Sequence, residues 1–201
     1  MGDIRRTRKK YQTPSHPWQM ARLEEEKPLM KDYGLESKNE LWKMHSVARN
    51  IAAQAKSLIA KKEDKQSQKE RELLMNRLIR FNLIRTGDPI ETALGLTSKD
   101  ILERRLQTLV YRKNLAKTIK QARQLITHQH IMVSKKAITS PSYIVSADEE
   151  NKIEYVENSP LADAAHPERP EVRAAKQIEE EKEKIKESAK KEEKKENEPK
   201  K

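Results

Sequence analysis

The chain has 201 residues, carries 43 Lys and Arg against 32 Asp and Glu for a formal net charge of +11, and is 34% hydrophobic and 4% aromatic. This composition, with a mean hydropathy of −1.02, leaves little material for a deep core and predicts that much of the chain is surface, interface or tail. The absence of cysteine excludes disulfides, thiolate zinc clusters and a cysteine nucleophile.

The opening MGDIRRTRKK lacks the apolar stretch of a signal peptide, and no later window approaches the ~20 apolar residues of a membrane span. These features predict a cytoplasmic protein. Charge is unevenly spread: residues 37–147 hold +13 and residues 148–170 hold −5. A polyanion suits the basic block, because each Lys or Arg that neutralises a phosphate releases condensed counterions. An anionic membrane would attract the same charge, but it requires a broad apolar and aromatic face opposite the basic one.

Residues 1–36 mix RRTRKKY with the breakers of TPSHPW and KPL, and read as an extended arm holding one short helix around QMARLEEE. Arg5, Arg6, Arg8, Lys9, Lys10 and Tyr11 are suited to phosphates and one stacked base; a frayed terminus has the same pattern. Ser37 and Glu40 form an S-x-x-E capping box ahead of Leu41, Met44, Ala48, Ile51, Ala55 and Leu58, a helical core stripe. A second helix is expected from Glu70 to Ile84 with Leu74, Leu78 and Phe81 inside, ended by TGDP at 86–89. Arg49, Lys56, Arg77 and Arg80 lie off these stripes and are placed to face RNA or solvent.

Thr97 and Asp100 cap a helix of about a dozen residues, ILERRLQTLVYRK. At 100° per residue, Leu102, Leu106, Leu109 and Val110 fall on one side, and Arg104, Arg105, Thr108, Tyr111 and Arg112 on the other. After a turn at 114–117, Thr118 and Gln121 cap a shorter helix with Ile119, Ala122, Leu125 and Ile126 inside and Lys120, Arg123, Gln124 and Thr127 outside. Packing the apolar faces together would leave basic faces outward and both helix N-termini open to phosphate.

HIMV, AIT, SYIVS and KIEYV follow as four strand-length runs, which predicts a small antiparallel sheet with Pro141 in a connection or on an edge. Residues 171–201 hold 10 acids and 11 bases with scarcely any apolar residue, the composition of a disordered extension.

At LERRLQTLVYRKNLAKTIKQARQLITHQHIMVSKKAITSPSYIV, residues 102–145, the sequence resembles the RNA-binding module of the small-subunit ribosomal protein S-four family. YGLESKNELWK and SPLADAAHPERPE resemble its archaeal branch, and the similarity covers about residues 1–172. The resemblance implies a protein that binds small-subunit ribosomal RNA directly and early in assembly, next to other small-subunit proteins, with influence on decoding accuracy. It places the RNA-facing positions at Arg104, Arg105, Arg112, Lys117, Lys120, Gln121, Arg123, Gln124, His128 and His130.

The sequence departs from the family at Gln129, where Gly usually separates the two histidines, and at Ser134-Lys135, where the hairpin usually has Asn-Gly. Many members carry an N-terminal cysteine zinc site, which this chain cannot form. His128 and His130 have Gln129, Ile131 and Met132 as neighbours, which supply no further zinc ligand. A turn that stacks on a base or donates to phosphate suits them better.

The expected protein is α+β, with a basic arm at 1–36, a helical domain at 37–100, an S-four RNA-binding module at 101–157 and a charged extension at 158–201. No catalytic residue, metal or cofactor is expected, and the chain reads as a structural ribosomal component, not an enzyme. Two alternatives share the module: an RNA-modifying enzyme, for which residues 1–100 offer no glycine-rich nucleotide loop, and a non-ribosomal RNA-binding or stress factor.

Overall fold

The computed structural model describes residues 9–61, 64–163 and 166–169. Arg5, Arg6 and Arg8 of the arm, and the extension beyond 170, lie outside the described residues. Among the described residues, seven α-helices and a three-stranded sheet gather around two contiguous apolar clusters.

The first cluster is helical. Helix α1 (Met20–Asp32) is longer than the expected QMARLEEE turn and has Pro28 within it. Helix α2 (Lys38–Ala60) buries the whole predicted stripe from Leu41 to Leu58. Helix α3 (Lys65–Arg80) begins five residues before Glu70 and buries Leu74 and Leu78. Its end precedes TGDP, so Phe81 is half-buried beyond the last turn while Ile84 returns to the core. A 3₁₀ turn at Ile90–Gly95 inserts Ala93 against α2, and helix α4 (Ser98–Glu103) adds Ile101 and Leu102. The box predicted at Thr97 is present, with the Thr97 N–H donating to Asp100 Oδ2 at 2.8 Å.

The second cluster is the module. Helices α5 (Leu106–Arg112) and α6 (Ile119–Thr127) pack Leu106, Leu109 and Val110 against Ala122, Leu125 and Ile126, as their periodicity predicts. Beneath them lie Ile131 and Val133 of β1 (Ile131–Val133) and Ile153 and Tyr155 of β3 (Ile153–Tyr155). With β2 (Lys136–Ala137) the strand order is β2-β1-β3, each outer strand antiparallel to β1. The run SYIVS, expected as a strand, contributes one isolated bridge, Ile144 to Arg105. ADEEN, which lies between the last two of the strand-length runs, forms the single-turn helix α7 (Ala147–Glu150), because Ser146 and Glu149 make a capping box.

Helices α1, α3, α5 and α6 end alike, with the residue after the cap in the left-handed region: Gly34, Asn82, Asn114 and Gln129, φ 58°, 51°, 56° and 63°. In α6 the Gln129 N–H donates to Ile126 O at 3.1 Å and the His130 N–H to Leu125 O at 2.9 Å. This pair of bonds is the Schellman arrangement that satisfies the last carbonyls of a helix. Gln129 adopts the φ that Gly would, and Ser134 and Lys135, at φ 50° and 65°, form the two-residue type I′ turn that Asn-Gly would form.

Candidate nucleic-acid interface

The predicted twelve-residue helix is two helices. Its continuity breaks at Arg104 and Arg105, and Arg105 is extended at φ −70° and ψ 142°. The groups freed at the break are satisfied from a distance. Leu106 N–H donates to Tyr143 O at 2.8 Å, Val145 N–H to Arg104 O at 3.0 Å, and the Thr108 hydroxyl to Leu102 O at 2.8 Å. Periodicity could not show this, because the segment that pairs with the break comes some forty residues later.

The break overturns the basic face assigned to this stretch. Arg104, Arg105 and Thr108 are buried, and Tyr111 is half-buried. The Arg104 guanidinium donates to Glu150 Oε2 at 2.8 Å, while Arg105, its side chain 1% exposed, donates from Nη2 to Glu40 Oε2 at 2.8 Å. Burial pushes the Arg105 guanidinium below the ordinary arginine range, and the Glu40 carboxylate opposes that shift. Arg112 does reach the surface, at 58% exposure, with Nη2 at 2.6 Å from Glu103 Oε1. Nor is the N-terminus of α5 open to phosphate: the carbonyls of Tyr143 and Pro141 accept its first N–H groups.

Glu40 does not close the capping box expected with Ser37. Ser37 makes no side-chain cap bond, and the Glu40 carboxylate turns toward the module instead, where it also accepts from Arg123 Nη1 and Nη2 at 3.2 Å. Arg123 pairs further with Glu36 at 2.9 Å and is 20% exposed. Its outward assignment on α6 is thus corrected as well.

The remaining α6 positions do face outward. Lys120, Gln124, Thr127 and His128 are exposed, and Gln121 and His130 are partly so. Gln121, Gln124, His128 and His130 line one cleft of about 260 Å³ with Leu125, Leu161 and Glu168. At the start of α6 the Thr118 hydroxyl accepts from Gln121 N–H at 3.1 Å, and Gln121 Oε1 accepts from the Lys117 N–H at 2.7 Å. Lys117 Nζ and Gln121 Nε2 donate to the carbonyls of Pro167 and Glu168, so the following segment borders the face. His130 is oriented by Ser159, Nδ1 to Oγ at 2.9 Å. His128 and His130 rings are 6.5 Å apart, and among the described residues no group of three or more His, Asp or Glu is arranged to hold a metal ion.

Arg49 of α2 is exposed. Lys9 and Lys10 are exposed, and the arm is tied down where Gln12 N–H donates to Ser46 Oγ at 3.2 Å and Arg49 Nη1 to Gln12 Oε1 at 2.5 Å. Tyr11 rests 6.1 Å from the Trp42 ring, so one of its faces is already used and the free stacking platform expected there is reduced. The residues that sequence reasoning missed are the carboxylates Glu36, Glu40, Glu103 and Glu150. The signal of Glu40 was hidden because S-x-x-E at 37–40 is equally a helix start.

Two short helices packed through apolar faces on a three-stranded antiparallel sheet, with Lys, Gln and His on the outer helix face, define an S4-type RNA-binding module carried on a helical base. Residues 104–151 match the S4 domain family. Small ribosomal subunit protein uS4 of Methanococcus vannielii is 52% identical over 170 residues, 84% of this chain and 95% of its own length. The protein of the same name from Methanococcus maripaludis strain C5 is 51% identical over the same span, and that of Picrophilus torridus is 45% identical over 183 residues, 90% of this chain and 100% of its own. The chain belongs to the small ribosomal subunit protein uS4 family.

Proposed function

We propose that this chain is a structural, non-enzymatic constituent of the small ribosomal subunit that binds small-subunit ribosomal RNA directly, helps to nucleate assembly and contributes to the accuracy of translation beside neighbouring proteins. The observation that carries the reading is the outer face of α6. Lys120, Gln124 and His128 are exposed on a helix whose opposite face is core, which is the arrangement that holds charge and amide donors toward a phosphate backbone. Lys117, Gln121 and His130 flank this face. Arg112 at the end of α5 and Lys9, Lys10 and Arg49 on the helical half extend the basic surface. Arg104, Arg105 and Arg123 serve the same surface from behind, by holding it in place.

Capture is electrostatic and shape-led: phosphates are engaged first, and the RNA helices are then fixed relative to one another by a rigid protein. Binding to small-subunit RNA should weaken steeply with salt, with a log–log slope of roughly −0.7 to −0.9 per phosphate contact. A flat salt dependence overturns this mechanism. Sedimentation of a lysate tests the ribosomal role: the chain should co-migrate with the small subunit, and a protein found mostly off it would instead be a free RNA-binding factor.

A further inference from the structure

We propose that Glu40 is a positioning residue for RNA recognition: its carboxylate, held between Arg105 and Arg123, locks the helical half and the module in one relative orientation. The inference depends on the reading above, in which both halves contact one RNA.

The location carries the argument. Leu102 is the last buried residue of the first apolar cluster and Leu106 the first of the second, so Arg105 sits on the seam between the two cores. Glu40, in the first turn of α2, reaches across that seam to a guanidinium 65 residues away and to another 83 residues away. Other links also cross the seam: Gln107 Nε2 donates to Gly34 O at 3.2 Å, Arg112 pairs with Glu103 at 2.6 Å, Ile144 packs against the first cluster, and Arg123 pairs with Glu36, which is 70% exposed. Glu40 differs from these in holding two guanidiniums of the module at once.

The chemistry at the seam is lopsided. Arg105 Nε and Nη1 are buried without a hydrogen-bond partner among the described residues, so Glu40 supplies the carboxylate that offsets this cation. Without it, two guanidiniums face each other in a poorly solvated seam, where repulsion and the drive to rehydrate both act to open it. Halves that move independently would engage RNA as two linked weak binders instead of one rigid surface, and ordering them would then oppose binding.

The proposal has a distinctive sign. Removing an acid from a basic protein should by charge alone strengthen binding to a polyanion. Glu40→Gln should weaken it.

The full chain lacks cysteine, so Leu73→Cys on α3 and Lys136→Cys on β2, both exposed, accept spin labels selectively for pulsed electron–electron distance measurement. Glu40→Gln, checked by circular dichroism to be folded at the assay temperature, should broaden the label–label distance distribution. It should also lower affinity for small-subunit ribosomal RNA by at least about 10-fold without changing the salt slope. Glu70→Gln, which removes an exposed carboxylate paired with Lys61, should leave the distribution narrow and the affinity equal or higher. Glu40→Asp keeps the charge with a shorter reach, and decides the matter if the Gln variant does not fold: a broadened distribution and a several-fold loss of affinity are expected. An unchanged distribution, or affinity equal to the parent's, in the folded Glu40 variant overturns the proposal. If the parent chain itself shows no salt-dependent RNA binding, the functional reading fails, and the distance distributions still decide whether Glu40 locks the seam.

Discussion

Arg105 and Lys120 are both basic residues of the module, yet the structure predicts opposite consequences for changing them to alanine. Arg105 is buried and bonded to Glu40, whose side chain is 17% exposed. Removing one partner of a buried pair costs about 3–5 kcal/mol because the other charge is stranded, and Arg123 remains to offset part of this. A net loss of about 3 kcal/mol in a chain of this size corresponds to a fall in Tm of roughly 6–12 °C. Lys120 is exposed and removes no core atom, so its melting point should move by less than about 2 °C, in line with a surface change within ±0.5 kcal/mol. RNA binding separates the two again. Lys120→Ala should reduce the magnitude of the salt slope by about 0.7–0.9, one phosphate contact, whereas Arg105→Ala should leave the slope unchanged. The assays are thermal unfolding by circular dichroism and filter binding to small-subunit RNA across a salt series. An Arg105→Ala protein that melts with the parent and shows a shallower salt slope would refute the burial argument and return Arg105 to the RNA surface.

Ile126→Ala opens a cavity beneath α6, where Ile126 is fully buried, and should lower unfolding stability by about 2–5 kcal/mol in a denaturant titration. Gln129→Gly relieves a non-glycine residue at φ 63°, and should raise stability by roughly 0.5–1 kcal/mol, read as a small increase in Tm. The Glu149 carboxyl is held below the usual carboxylate range: burial pushes it up, but the Ser146 N–H and hydroxyl, the Tyr143 hydroxyl and nearby Arg80 together outweigh that. Its contribution is therefore present above the unfolded carboxylate pKa, near 4.3, and is lost as pH falls through the lower folded value. Melting curves between pH 3 and 7 should show a shallower acid decline for Glu149→Gln than for the parent, and identical declines would contradict the assignment.

Much of this molecule is local, and therefore legible in the sequence. The α2 stripe, the Thr97 and Thr118 caps, and the apolar faces of α5 and α6 depend on residues three or four apart, so periodicity alone gives them. The concentration of charge in residues 37–147 is legible too, whereas the left-handed turn at Asn82 ends α3 at Arg80, short of the Ile84 expected from periodicity. Other features are set by partners far away in the chain. The wheel drawn through ILERRLQTLVYRK assumes an unbroken helix, and nothing within that stretch reveals that Tyr143 and Val145 will hydrogen-bond across a gap at Arg104-Arg105. At the break Arg104 and Arg105 turn inward to meet Glu150 and Glu40, and Arg123, on the separate helix α6, is met by Glu36 and Glu40 from outside the module. A carboxylate three residues after Ser37 satisfies a capping rule and a tertiary ion pair equally well on paper. The buried guanidinium decided between them: an unpaired charge taken out of water costs more than an exposed helix end left to solvent.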